Sequence, residues 1–166
     1  MGDQLTESDV KKIKEEIEYR KIVVRKKELE AVKEARAQGD LSENFEYKAA
    51  KQFKNRNESR IRYLEKMIKT AKIIEDDSDE SQVGLNDSVT IYIEEDDMEE
   101  CFKIVTTIRS DAINNMVSIE SPIGRSLMKH KVGDRVYIKI NDSDGYYAVI
   151  RNIDKSDDES EKISSY

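Results

Sequence analysis

Two long runs without glycine or proline occupy most of the first half of this 166-residue chain. Residues 9–38 are rich in Lys, Glu, Ala and Arg, all good helix formers. Val10, Ile13 and Ile17 recur at spacings of three and four, and Val24 continues the rhythm. Leu29, Val32 and Ala35 resume it after a slip in register, so an amphipathic helix is expected. Residues 44–74 form a second such run, with Phe53, Ile61, Leu64, Ile68 and Ala71 on one stripe. Each run is about 30 residues, or roughly 45 Å of helix. Between them stands Gln38-Gly39-Asp40-Leu41-Ser42-Glu43-Asn44. Gly39 reads as a helix stop, and Asp or Ser after it as a helix start. So short a connection sets the helices antiparallel. The expectation is a long hairpin with a narrow apolar seam, close to a two-stranded coiled coil.

After an acidic stretch, EDDSDESQ at 75–82, the apolar period changes to two. Val89, Ile91 and Ile93 alternate; so do Ile104, Thr106 and Ile108, then Val117 and Ile119. Val136, Ile138 and Ile140 follow, then Tyr147, Val149, Arg151 and Ile153. These predict about five short strands. Glu94–Glu100 holds six acids in seven residues and reads as a solvated hairpin loop. Ser121-Pro122 opens a helix expected to run to about His130. The organisation expected is a hairpin over 1–74 with its acidic tip at 39–44 and an acidic linker over 75–83. A small α+β domain over 84–155 and an acidic tail over 156–166 complete it.

Charge divides the chain in the same way. Residues 1–74 carry 19 Lys and Arg against 14 Asp and Glu; the remainder carries 10 against 22, for a total of −7. Within Lys48–Lys72 nine basic residues face two acids, Glu58 and Glu65. Such a stretch is either a solvated helix face or a face that meets a polyanion such as a nucleic-acid backbone. Charged residues reach 39%, so long solvated helices with a small core fit better than one large core. The longest apolar stretch, Tyr146–Ile150, is far too short to span a bilayer. The N-terminus has no apolar signal region, and a cytoplasmic protein is expected. Gly2 and Thr6 match a myristoylation pattern that lacks a basic second anchor and is set aside. One cysteine and one histidine exclude a disulfide framework and the common zinc sites.

Asp40 and Glu43 are the candidate chemistry. At a helix start, Asp-x-x-Glu is also a variant capping box, with both acids favoured by the helix dipole. Alternatively, two carboxylates at the end of a roughly 45 Å rod can be delivered into a narrow cavity. Magnesium takes one or two carboxylates plus phosphate oxygens and water, so this pair alone would bind it weakly. Asn141-Asp142-Ser143-Asp144-Gly145 fails as a calcium loop, because Ile140 and Arg151 stand at ligand positions, and reads as a turn. His130 is expected at the surface or a helix end. Cys101 is expected to pack at a strand start, and Tyr146 and Tyr147 to face opposite sides of a strand. Ile22-Val23-Val24 is expected to pad the hairpin base or to form a small contact patch.

The stretch Ala35–Ala50, ARAQGDLSENFEYKAA, resembles the tip of the bacterial GreA/GreB transcript cleavage factors. Ile119-Glu120-Ser121-Pro122-Ile123-Gly124-Arg125-Ser126-Leu127 resembles that family's second signature. The order of hairpin, acidic linker and small domain matches as well, and the shorter chain places it nearer the GreA branch. The resemblance implies an α+β protein: an antiparallel coiled-coil helical hairpin followed by a small FKBP-like domain. It implies a transcription elongation factor and not an enzyme in its own right. Its partners would be bacterial RNA polymerase, at the secondary channel and its rim, and the nascent RNA 3′ end. No membrane partner is implied, and a monomer is expected. There would be no cofactor of its own, the magnesium being that of the polymerase active centre. Asp40 and Glu43 carry over as the metal-assisting pair. Arg36 and Lys51 carry over as the basic patch near the tip, with lysine at the second position where arginine is usual. Lys48, Lys54 and Arg56 extend that patch by charge. Glu120, Ser121 and Pro122 fall on the polymerase-docking loop. Phe45 departs from the small residue usual there; it bears on polymerase or RNA, or packs on the hairpin.

Four other readings compete. An inhibitor that binds the same channel would carry an altered acidic tip, and Gly39-Asp40-Leu41-Ser42-Glu43-Asn44 is intact. A DksA-like regulator needs zinc-binding cysteines. A prolyl isomerase needs an aromatic-lined pocket, and the second half has one Phe, a few Tyr and no Trp. A structural coiled coil would keep its function with Asn at 40 and Gln at 43.

Overall fold

The computed structural model describes residues 2–39, 44–155 and 163. The expected acidic tail thus lies, Ile163 apart, outside the described residues. The chain divides into two compact units: Met1–Gly2 with Val10–Ala71, and Asp3–Asp9 with Lys72–Tyr166. Asp3–Asp9, expected in the hairpin, therefore belong to the second unit.

The first unit is helical. Helix α1 (Glu7–Tyr19) passes into a π-helical turn, Arg20–Val24, and then into α2 (Arg25–Ala37); α3 (Phe45–Thr70) returns. The slip in register is the site of the π turn, where the Arg25 N–H bonds back five residues to the Arg20 carbonyl. Asn57 on α3 holds that turn. Its Nδ2 donates to the same Arg20 carbonyl at 3.3 Å, and its Oδ1 accepts from Arg20 Nη1 at 3.1 Å. Glu16 accepts from both Arg20 and Arg60, at 2.7 and 2.8 Å, and Arg25 grips Glu58 with two bonds. Burial would raise the Glu16 pKa, but the two arginines outweigh it and hold it below the usual value. Glu16 meets Arg60, Arg20 meets Asn57 and Ala35 meets Asn44, so the helices run antiparallel.

The seam is narrower than expected. Ala35, Ala50, Ile61, Leu64 and Met67 are buried, but Leu29 and Phe53 face solvent. By angle Phe53 lies within the buried stripe, about 20° from Leu64 and from Arg60 at 100° per residue, so helical phase does not account for its exposure. Ile22 and Val23 do not pad the hairpin: they are 62% and 46% exposed, the contact-patch alternative. The π turn rotates them outward.

The second unit is built on a five-stranded sheet. Its strands are β3 (Ser88–Ile93), β4 (Met98–Val105), β5 (Met116–Ser118), β6 (Arg135–Lys139) and β7 (Gly145–Asp154), in the spatial order β5-β4-β3-β7-β6. Only β4–β5 is parallel. Val89, Ile91 and Ile93 join Phe102, Ile104, Val136, Ile138, Ala148 and Ile150 on one face, with Leu127 of helix α4 (Pro122–Leu127) in the same core. This is the expected α+β domain, with four local differences. The alternation through Thr106 and Ile108 is not strand: Thr107–Arg109 form a 3-10 turn that keeps both residues buried. α4 stops at Leu127 instead of near His130, and Lys129 takes a positive φ of 66°. Cys101 is exposed on β4 instead of packed. The 75–83 stretch is no free connector: Val83 is fully buried, and Asp76 accepts from the backbone N–H groups of Ser78 and Leu85.

Residues near the N-terminus complete this unit. Strand β1 (Gln4–Leu5) pairs in parallel with β2 (Lys72–Ile73). Thr6 and Asp9 cap α1 reciprocally, each side chain accepting from the other's backbone N–H at 3.1 Å. Asp9 is buried, bonded by the Thr106 hydroxyl at 2.7 Å and paired with Arg109 at 3.0 Å.

Candidate functional site at the hairpin end

At the hairpin end the two helices are tied by one amide. The Asn44 Oδ1 accepts from the Tyr47 N–H at 3.0 Å and so caps α3. Its Nδ2 donates at 2.7 Å to the Ala35 carbonyl in the last turn of α2, which also accepts from the Gln38 N–H at 3.3 Å. Gly39, at φ 120°, adopts the conformation that a helix stop requires. The helix start expected at Asp or Ser is supplied instead by Asn44, adjacent to Glu43 in sequence. Asp40 and Glu43 themselves lie outside the described residues.

The basic residues expected near the tip fall into three groups. Arg36, Lys51 and Lys54 act on Tyr47. The Arg36 guanidinium lies 5.8 Å from its ring. The hydrogen bond from Arg36, then the Lys51 charge and more weakly that of Lys54, hold the Tyr47 hydroxyl below its ordinary pKa. Lys48 sits over Phe45 at 5.8 Å, and Arg56 over Phe53 at 5.8 Å. Arg56 thus stands apart, more than two helical turns beyond Lys48. Phe45 does not pack on the hairpin: it is 80% exposed. A shallow groove of about 440 Å³ beside it is lined by Phe45, Lys48, Ala49, Lys51, Gln52 and Asn55. Sequence reasoning gave no role to Tyr47 and none to Asn44 as a clamp. An asparagine directly before a helical run was the available signal for the second.

Glu120, Ser121 and Pro122 come together in the second unit at the start of α4. The Ser121 hydroxyl accepts from the Gly124 N–H at 3.1 Å and donates to the Ser118 carbonyl at 2.6 Å, and Pro122 occupies the first turn. The Glu120 carboxylate accepts from the Thr107 hydroxyl at 2.6 Å. Gly124 is fixed by close approach, since a Cβ there would lie 2.0 Å from the Ser118 carbonyl oxygen. Glu120 is therefore held by a rigid loop.

Among the described residues no three His, Cys, Asp or Glu side chains gather as a metal site. No described helix is long and apolar enough to cross a membrane.

Comparison with known proteins finds two family matches. Residues 3–73 match "Transcription elongation factor, N-terminal", and residues 78–164 match "Transcription elongation factor, GreA/GreB, C-term". Among curated proteins the chain is similar to transcription elongation factor GreA of Thermoanaerobacter pseudethanolicus, at 44% identity over 82% of this chain and 87% of that one. It is 42% identical to GreA of Bacillus subtilis over 81% of this chain and 86% of that one. Among solved structures, GreA factor homolog 1 of Thermus thermophilus aligns over 93% of this chain and all of that one, at 22% identity and a TM-score of 0.43.

Proposed function

Because the chain belongs to the GreA/GreB family of transcription elongation factors, we propose that it enters the secondary channel of bacterial RNA polymerase. There it stimulates the polymerase's own cleavage of backtracked RNA and returns arrested complexes to elongation. The chemistry is the polymerase's, and this chain supplies groups to it.

The observation that carries this reading is the Asn44 clamp. A single side chain ties Ala35 of α2 to Tyr47 of α3. The residues between Gly39 and Asn44 therefore connect helix ends that are bonded to each other. The same clamp caps α3, so that helix does not call on Asp40 and Glu43 for a cap, which weakens their capping-box alternative. Two carboxylates are the donor type magnesium takes and too few to hold it alone, so phosphate oxygens and the polymerase's own acids complete the shell. A second metal so held stabilises the attacking and leaving oxygens of an in-line displacement. Arg36 and Lys51 add positive charge beside the path of the extruded RNA, and Lys48, Lys54 and Arg56 extend it along α3. Glu120, Ser121 and Pro122 dock at the channel rim; the bond from Thr107 and the cap on α4 support a preformed contact there.

The test is transcript cleavage in stalled, backtracked complexes of a bacterial polymerase, with wild type and Asp40→Asn/Glu43→Gln, in magnesium. Wild type is expected to release short 3′ fragments, and the double mutant to bind without releasing them. Wild type that binds and releases nothing would support an inhibitor on the same fold.

A further inference from the structure

The basic face of α3 carries more aromatic surface than a charge patch needs. Phe45 is 80% exposed and Phe53 54% exposed, in a chain with only three phenylalanines. Neither ring contributes to the seam. Each instead has a cation over it at 5.8 Å, Lys48 on Phe45 and Arg56 on Phe53. The groove beside Phe45 combines four chemistries: a phenyl ring, an apolar floor at Ala49, two amides at Gln52 and Asn55, and two ammonium groups at Lys48 and Lys51.

We propose that Phe45, with Lys48 and Lys51, is a stacking seat for one base of the extruded single-stranded RNA. Phe53 and Arg56, two turns further along α3, form a second and weaker seat. The proposal rests on the reading above, in which RNA passes this helix, and adds how the RNA is held. The ring offers a face to any base, which makes the contact indifferent to sequence, as an extruded transcript requires. The amides reach a base edge, and the lysines neutralise the flanking phosphates. Charge decides the occupant in favour of RNA, since Lys48–Lys72 carries nine basic residues and two acids. The depressed Tyr47 hydroxyl reports positive potential next to the same groove, from Arg36 and Lys51 first. Substitution at Phe45 leaves the hairpin intact, because the ring is in solvent and α3 is capped by Asn44.

The experiment places 4-thiouridine at the RNA 3′ end of a backtracked bacterial polymerase complex and measures photocrosslinking to the full chain. It is run without catalytic magnesium, so that cleavage does not enter the readout. Wild type, Phe45→Ala, Phe45→Leu and Phe45→Tyr are titrated. Loss of one stacked base predicts roughly 5- to 150-fold weaker half-saturation for Phe45→Ala. Phe45→Tyr restores binding and Phe45→Leu does not. On complexes stalled without backtracking, which extrude no RNA, all four proteins bind alike. Equal weakening of Phe45→Ala on both kinds of complex would show that the ring meets polymerase and would overturn the proposal. So would wild-type affinity for Phe45→Ala on backtracked complexes, or the absence of any wild-type crosslink. Crosslinking that requires Phe45 in a protein that stimulates no cleavage would sink the cleavage function and leave the seat standing.

Discussion

The two units solve the same problem with opposite means. The sheet unit buries an apolar cluster in which Val83, Val89, Ile91, Ile104, Leu127, Ile138, Ala148 and Ile150 are inaccessible to solvent. Its buried charge pair of Asp9 with Arg109 attaches the Asp3–Asp9 segment. The hairpin unit has a thin seam in which alanines hold places that larger residues would fill in a thicker core. Its helices are instead joined by Glu16, Arg20, Arg25, Asn57, Glu58 and Arg60. Apolar burial is non-directional and grows with area. A polar seam is directional and fixes register. Fixed register sets which residue of one helix stands against which residue of the other, something bulk stability alone does not do.

Three substitutions or conditions sharpen that contrast. The largest effect is expected from Arg109→Leu, which leaves the Asp9 carboxylate buried without its cation. The loss should be about 3–5 kcal/mol and confined to the sheet unit. Native-state amide exchange, which resolves the units, should show faster exchange in β4 and the Asp3–Asp9 segment, with little change in α3. An intermediate effect is expected from Asn57→Leu. It strips the Arg20 carbonyl and guanidinium of a buried partner, at about 1–3 kcal/mol. Urea unfolding followed by helical circular dichroism should register it; an unchanged midpoint would mean that the π turn needs no partner. The smallest effect is that of pH. Glu16 and Glu58 have folded pKa values below their unfolded ones, Glu58 chiefly through its bond to Arg25. Their contribution is fully present above the unfolded value of about 4.5 and is lost as pH falls through the lowered folded values. For the solvent-accessible Arg25–Glu58 pair, screening keeps this contribution small. Helical signal should therefore decline from about pH 4 downward, and high salt should blunt the change.

The fold was legible where periodicity was strong and failed where two structures satisfy one pattern. The alternation at Val89–Ile93 and Val136–Ile138 marked real strands. The same alternation continued past Ile104 of β4 to Thr106 and Ile108, where there is no strand, because a 3-10 turn buries those side chains as well as a strand would. The slip between Val24 and Leu29 was visible, but a period cannot say whether a helix breaks, bends or takes a π turn. The placement of Asp3–Asp9 with residues beyond Lys72 had no local signal at all, since β1 is two residues long and its partner is distant in sequence. At the candidate site, each basic residue was legible as a charge. Its aromatic partner was not: Phe53 fits the apolar stripe by type and by angle, and only the structure shows the ring exposed under Arg56. The cap was misread by a few residues for a related reason: Asp40, Ser42 and Asn44 are all good cap residues, and only the geometry selects Asn44.

The π turn has a consequence for chain length. A helix normally tolerates neither insertion nor deletion, because one residue more or less turns everything beyond it by about 100°. Here the five-residue turn from Arg20 to Val24 absorbs one residue more than an unbroken α-helical ladder would hold. Relatives one residue shorter in this stretch can therefore present the same faces of α2 to α3, with Val32 and Ala35 still inward. The hairpin has a built-in place where its length can vary while its far end keeps its orientation.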